Sequence, residues 1–155
     1  MLNFNPGEII YGYVSSIKPP KYKYLIVLHC DEELSIVACF TTSQPRAGIS
    51  TDESTHGPIR KNGDCLSYVF QAGRAIGCNP ATRERFSFPL KTTVTFDYGV
   101  IEGPIERFRS MFNDARTVCI LDKEEFMNLL YAMYQSSHSS LRHKQILERI
   151  LEDYQ

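Results

Sequence analysis

Apolar positions along this chain alternate or fall in short unbroken runs over its first two-thirds, then recur at helical spacing toward the C-terminus. Residues 8–17 (EIIYGYVSSI) form a β-branched and aromatic run behind Gly7. Lys18-Pro19-Pro20-Lys21 ends it, because paired prolines donate no ladder hydrogen bonds. A second run at 22–29, an acidic turn at Asp31-Glu32-Glu33 and a third run at 34–41 predict a hairpin. The three runs are expected to be neighbouring antiparallel strands. Strand patterns resume at 65–71, weakly at 74–77 and strongly at 91–98, with a last buried strand at 117–121. Residues 99–115 have no clear period, and a short helix fits 105–112.

Helical spacing is firmer. Asp122 followed by Glu125 makes a capping-box pattern. Phe126, Leu129, Leu130, Met133 and Tyr134 then trace one apolar stripe. Residues 136–140 (SSHSS) break it, and Ile146, Leu147, Ile150, Leu151 and Tyr154 share a face of a second helix. Between strands and helices, residues 45–64 are polar and rich in Pro, Gly and Ser, which predicts a long surface loop. Strands followed by helices, with no internal repeat, predict a single α+β domain over 1–155. Its β core spans about 7–98, its helices start near 122, and a strongly curved sheet or small barrel is expected at its centre.

Composition narrows this picture. A chain of 155 residues suits one domain and buries roughly 70% of its unfolded surface. Net charge is −1, so nucleic acid could be held only by a local basic patch. The five cysteines form no C-x-x-C, and no Cys/His pair has zinc-ligand spacing, so neither a disulfide framework nor a metal is expected. Cys39 and Cys119 lie in apolar runs and are expected to pack as small hydrophobes. The N-terminal residues lack a basic and then apolar leader pattern, and no stretch approaches about 18 uninterrupted apolar residues. The expectation is a cytoplasmic chain without cofactor or membrane contact. Gly73 and Gly77 make no dinucleotide fingerprint, and no P-loop occurs. Cys30 and His29 are neighbours on a strand, so they point to opposite faces and form no dyad.

Residues 37–44 read VACFTTSQ. Four strand-forming residues run into Thr41, Thr42, Ser43 and Gln44, with Pro45 and Arg46 behind. Taken alone, this is either turn chemistry, with hydroxyls satisfying backbone groups, or a strand delivering polar groups to a site. Counting from Glu32 as the turn's centre, Lys23 and Thr41 each lie nine residues away, which sets them side by side. Strands about 4.8 Å apart would let an ammonium and a hydroxyl hold one phosphate. Alternation leaves open which hydroxyl of 41–43 faces a groove. Lys21 arrives two residues before Lys23; both could equally be solvated edge residues. Arg46 and Arg60-Lys61 could grip phosphates or be solvated, and His56 is either a near-neutral acid or base or an idle loop residue. His138 and His143 are expected at the surface. Tyr11, Tyr13, Tyr22, Tyr24 and Phe86 could stack bases or pair across strands.

The order of these pieces resembles the MazF/PemK family of toxin endoribonucleases. The resemblance rests on Gly7-Glu8-Ile9, residues 23–28 (KYLIVL), residues 40–44 (FTTSQ) and residues 116–123 (RTVCILDK). It implies a small SH3-like or CcdB-like antiparallel barrel with C-terminal helices, usually a homodimer. It also implies metal-independent cleavage of single-stranded RNA and inhibition by an antitoxin. The family's catalytic Arg falls on Lys23, or on Lys21, and its catalytic Thr on Thr41. Thr42, Ser43, Gln44, Arg46 and His56 are the substrate-binding candidates. Two departures accompany the match: Lys replaces Arg, and Tyr24 replaces the usual Pro. Residues 45–64 and 99–115 read as insertions. The competing reading is a non-catalytic SH3-like module that binds a peptide or partner protein.

Overall fold

The structure is a computed structural model and describes residues 2–43 and 54–153. Its strands are β1 (Glu8–Val14), β2 (Lys21–Cys30), β3 (Ser35–Phe40), β4 (Gly57–Lys61), β5 (Asp64–Phe70), β6 (Gly77–Cys78), β7 (Arg85–Phe86), β8 (Thr92–Thr95), β9 (Val100–Pro104) and β10 (Phe112–Leu121). Its helices are α1 (Ile105–Met111), α2 (Lys123–Tyr134) and α3 (Leu141–Asp153). All strand pairings among the described residues are antiparallel. They form a seven-stranded sheet, β7-β6-β10-β1-β2-β3-β9, and a three-stranded sheet, β4-β5-β8. The architecture is therefore α+β, with β1, β2 and β3 adjacent as the hairpin pattern predicts. Among the described residues, no helix is long and apolar enough to cross a membrane.

The large sheet is buried on both faces at its centre. Ile26, Leu28, Val37 and Cys39 face one core, shared with β5, β8, α2 and Leu147 of α3. Leu25, Val27, Ile36 and Ala38 face a second, closed by Phe4 and by Ile105 and Phe108 of α1. A strand covered on both sides has no polar side to alternate with, which is why β2 and β3 read as the unbroken runs LIVL and IVAC. Close strand approach also dictates a glycine. A Cβ on Gly77 would meet the Cys119 sulfur at 2.6 Å and press on the Ile120 carbonyl.

Two expectations are corrected here. The segment 45–64 is not one loop: within its described part, β4 pairs with β5 around the two-residue turn Asn62-Gly63, both at positive φ. Asn-Gly supplies the left-handed conformations that such a tight hairpin turn needs. The capping box is also absent. Asp122 is the N-cap residue of α2 but makes no side-chain cap bond. Its carboxylate instead accepts from the two terminal guanidinium nitrogens of Arg85 at 2.8 and 2.5 Å.

Glu125 is likewise turned away from the helix end. Its carboxylate accepts from His56 Nε2 at 2.9 and 3.1 Å and from the Tyr68 hydroxyl. His56 Nδ1 accepts the Gln71 backbone N–H at 3.0 Å, so the proton must sit on Nε2. His56 and Glu125 side chains are only 8% and 11% exposed. Burial alone would push the Glu125 carboxyl up, but the His56 and Tyr68 bonds outweigh it and hold the group below the ordinary carboxylate range. Burial, and then the Glu125 carboxylate, push the Tyr68 phenol up. This clamp fastens the small sheet to α2.

Two outcomes follow from this packing. Leu130 is fully buried, so Leu130→Asp should cost several kcal/mol and abolish the cooperative melt; an unchanged melting temperature would place the stripe at the surface. Glu125 has a depressed folded pKa, so its stabilising effect is present above the unfolded value near 4.5 and is lost as pH falls through the folded value. Stability measured from neutral pH down to about pH 3 should show that acid loss, and Glu125→Gln should flatten it while lowering stability at neutral pH. A variant with an equally deep acid loss would show that the clamp's charge contributes nothing.

Candidate functional site

Strands β2 and β3 separate at one end. The Thr41 N–H still reaches the Tyr24 carbonyl at 3.2 Å, but Thr42 exchanges both of its backbone bonds with Thr93, each at 2.8 Å. The chain after β3 thus leaves the large sheet and joins the small one beside β8. A fork opens between the start of β2 and residues 41–43.

Two hollows flank the fork. One, of about 270 Å³, is bordered by Tyr11, Tyr22, Tyr24, Leu90 and Ser43. The other, of about 250 Å³, is bordered by Ile17, Phe40, Tyr98 and Gly99. Lys21, Lys23, Thr41 and Thr42 line both. The structure therefore gathers both lysines and all three hydroxyl residues 41–43 at one place.

The detailed pairing differs from simple counting. Cys30 pairs with Ile36, which centres the turn at Glu33 rather than Glu32. A bulge between Val27 and His29 then shifts the register again, so that Leu25 pairs with Phe40. The Thr41–Tyr24 bond continues this register by one residue, and Thr42 leaves it for Thr93. The Lys23 ammonium lies 5.7 Å from the centre of the Phe40 ring, which places it on the Phe40 side of β2. Thr41 is 5% exposed, whereas Thr42 is half-buried and Ser43 exposed. Of the two threonines that line the hollows with Lys23, Thr42 is therefore the more accessible.

Other candidates are placed elsewhere. His56 borders a separate hollow of about 280 Å³ with Arg60 and Arg74. Both of its nitrogens are committed to Glu125 and Gln71, so it offers no lone pair or proton to a substrate in this arrangement. Gln44 and Arg46 lie outside the described residues. His138 is exposed as expected. His143 is not a free surface group: it is half-buried and bonds Glu102 at 2.7 Å, beside the Arg142–Glu102 ion pair at 2.8 Å.

The tyrosines make an ordered series beside the fork. Tyr11 stacks on Tyr22 at 5.1 Å and 18°, meets Tyr24 at 4.5 Å, and has the Arg116 guanidinium 5.6 Å from its ring centre. The Tyr22 hydroxyl donates to Asp114 at 3.3 Å, and that carboxylate pushes the phenol up. Tyr24 turns inward onto Phe88, and burial pushes its phenol up. Sequence reasoning passed over Tyr98 and Leu90, which are 53% and 63% exposed at the rims of the two hollows. An aromatic just past a buried Thr-rich strand was the signal for Tyr98, and Leu90, just before that strand, had none.

Among the described residues, no cluster of three or more His, Cys, Asp or Glu could hold a metal ion. All five thiols are free. Burial, with Asp122 as a lesser cause, pushes Cys119 up to about 12, and burial drives Cys39 further in the same direction. Neither thiol is a nucleophile near neutral pH. The chemistry available at the fork is that of ammonium groups, hydroxyls and aromatic rings. Comparison of the chain with protein-family models, with curated proteins and with solved structures finds no match in any of the three.

Proposed function

We propose that this chain is a toxin-type endoribonuclease that cuts single-stranded RNA without a metal, with the fork as its active site. The observation that carries the reading is the convergence of Lys21, Lys23, Thr41 and Thr42 on both hollows. Cleavage by the RNA's own 2′-oxygen needs no bound water or metal. That oxygen attacks phosphorus, the bond to the 5′-oxygen breaks, and the proton lost from the first oxygen is matched by one given to the second. The transition state gathers negative charge on the two non-bridging oxygens, and preorganised cations and donors stabilise it most. Lys21 and Lys23 supply the charge, and Thr42 donates a hydrogen bond. A lysine can also deliver a proton to the departing 5′-oxygen, which a guanidinium does not. Thr41 donates its backbone N–H to Tyr24 and so holds the strand end in place.

The fold is compatible with this reading. The two sheets, joined at Thr42 and Thr93, correspond in this proposal to the small barrel of such toxins opened along one seam. A homodimer and an antitoxin that covers the groove complete it, as does a cytoplasmic setting. A second reading has its own support. Exposed Tyr22, Leu90 and Tyr98 border the same hollows, and aromatic grooves also take extended peptides in non-catalytic modules.

Incubation with mixed RNA in EDTA separates the two. The nuclease reading expects discrete fragments, with Lys23→Ala and Thr42→Val each slowing cutting at least about tenfold at an unchanged melting temperature. Growth arrest on expression in a bacterial host, relieved by Lys23→Ala, is expected in parallel. Intact RNA, or full activity in both variants, would leave the peptide-binding module as the better account.

A further inference from the structure

We infer that the fork holds a single unpaired dinucleotide step of RNA with its two bases splayed apart, one against Tyr22 and the other against Tyr98. The inference rests on RNA being the occupant of the groove and adds how it is held. Tyr22 and Tyr98 are 44% and 53% exposed, and each borders a different hollow. The polar residues common to both hollows lie between them. Side chains alternate along β2, so Tyr22 and Tyr24 leave one face while Lys21 and Lys23 leave the other. Tyr98 shares its hollow with Phe40, over whose ring Lys23 sits. The two tyrosines thus flank the strand end from opposite sides.

That placement sets the shape of the ligand. Bases stacked in one strand are spaced by about 3.4 Å. With the strand end lying between the two rings, a base on each must be unstacked from its neighbour. The phosphate between them then falls at the fork, within the reach of the lysine ammoniums and the Thr42 hydroxyl. Tyr22 is a prepared platform, since Tyr11 stacks on it and the Tyr13 ring packs edge-on beside it. Arg116 beside Tyr11 extends positive charge along the same face. Base stacking on aromatic side chains tolerates any base and is strong enough to control affinity. A duplex cannot offer this step, because its bases stay stacked and paired. The site therefore selects unpaired RNA by geometry.

Anisotropy of a short labelled 2′-O-methyl RNA, which lacks the attacking hydroxyl, tests the arrangement without cleavage. Tyr22→Ser and Tyr98→Ser should each weaken binding about tenfold, the scale of one lost stacking contact. Tyr22→Phe and Tyr98→Phe keep the rings and should bind as the parent does. Tyr131→Ser, at a tyrosine 52% exposed outside the fork, should change nothing. The same strand annealed to its complement should compete at least about tenfold more weakly. Parent-like binding by either serine variant with an unchanged melting temperature overturns the inference, as does equal competition by the duplex or no binding by the parent chain. A chain that binds in the expected pattern yet cuts no RNA keeps the splayed step and refutes the nuclease reading. A chain that cuts RNA with both serine variants unimpaired does the reverse.

Discussion

The backbone exchange at Thr41 and Thr42 organises this molecule. One residue still bonds Tyr24 in the large sheet, and the next pairs with Thr93 in the small one. Consecutive residues committed to different sheets fix the distance between those sheets and force β2 and β3 apart. The exchange also needs room behind it. The Phe40 N–H bonds the Gly99 carbonyl at 3.0 Å, and a Cβ on Gly99 would lie 2.6 Å from the Thr95 carbonyl oxygen. The glycine lets β8 turn tightly into β9 beneath the second hollow.

Burial on both faces anchors the middle of β2 next to the fork. β2 is gripped by two cores in its middle, is exposed at Lys21 and Tyr22, and is half-buried at Lys23 and Tyr24. The two lysines therefore project from the end of an anchored strand, which is the preorganisation that the proposed electrostatic role would need. The buried His56–Glu125–Tyr68 clamp performs the matching task for the small sheet. It is a neutral imidazole and a phenol satisfying one buried carboxylate, so each polar group there has a partner and the site has none to spare.

Much of this was legible in the chain, for physical reasons that can be named. The runs that became β1, β2 and β3 and the α2 stripe are long and strongly patterned. Burial on both faces turned β2 into an unbroken apolar run, however, and such a run contains no marker of where a bulge falls. The shift at Val27 and His29 was invisible, and with it the register that pairs Leu25 with Phe40. The Asn62-Gly63 turn was present in the sequence but hidden within a polar stretch that reads as loop. Asp122 and Glu125 have the spacing of a capping box, yet Arg85 and His56, far away in the chain, compete better for their carboxylates. The lysine and hydroxyl cluster was readable because it is local to one hairpin. Tyr98 was not, because its place depends on how β8 and β9 return to the fork.

The central claim is that an RNA phosphate sits where β2 and β3 part. Backbone amide NMR of the parent chain, titrated with a non-cleavable 2′-O-methyl RNA, tests it most directly. The account predicts that the largest shifts fall at Lys21–Tyr24 and at Thr41, Thr42 and Ser43, reaching Tyr98, with little change at His56 and Gln71. Shifts centred on the His56 hollow, or scattered over the surface without a focus at the fork, would contradict it.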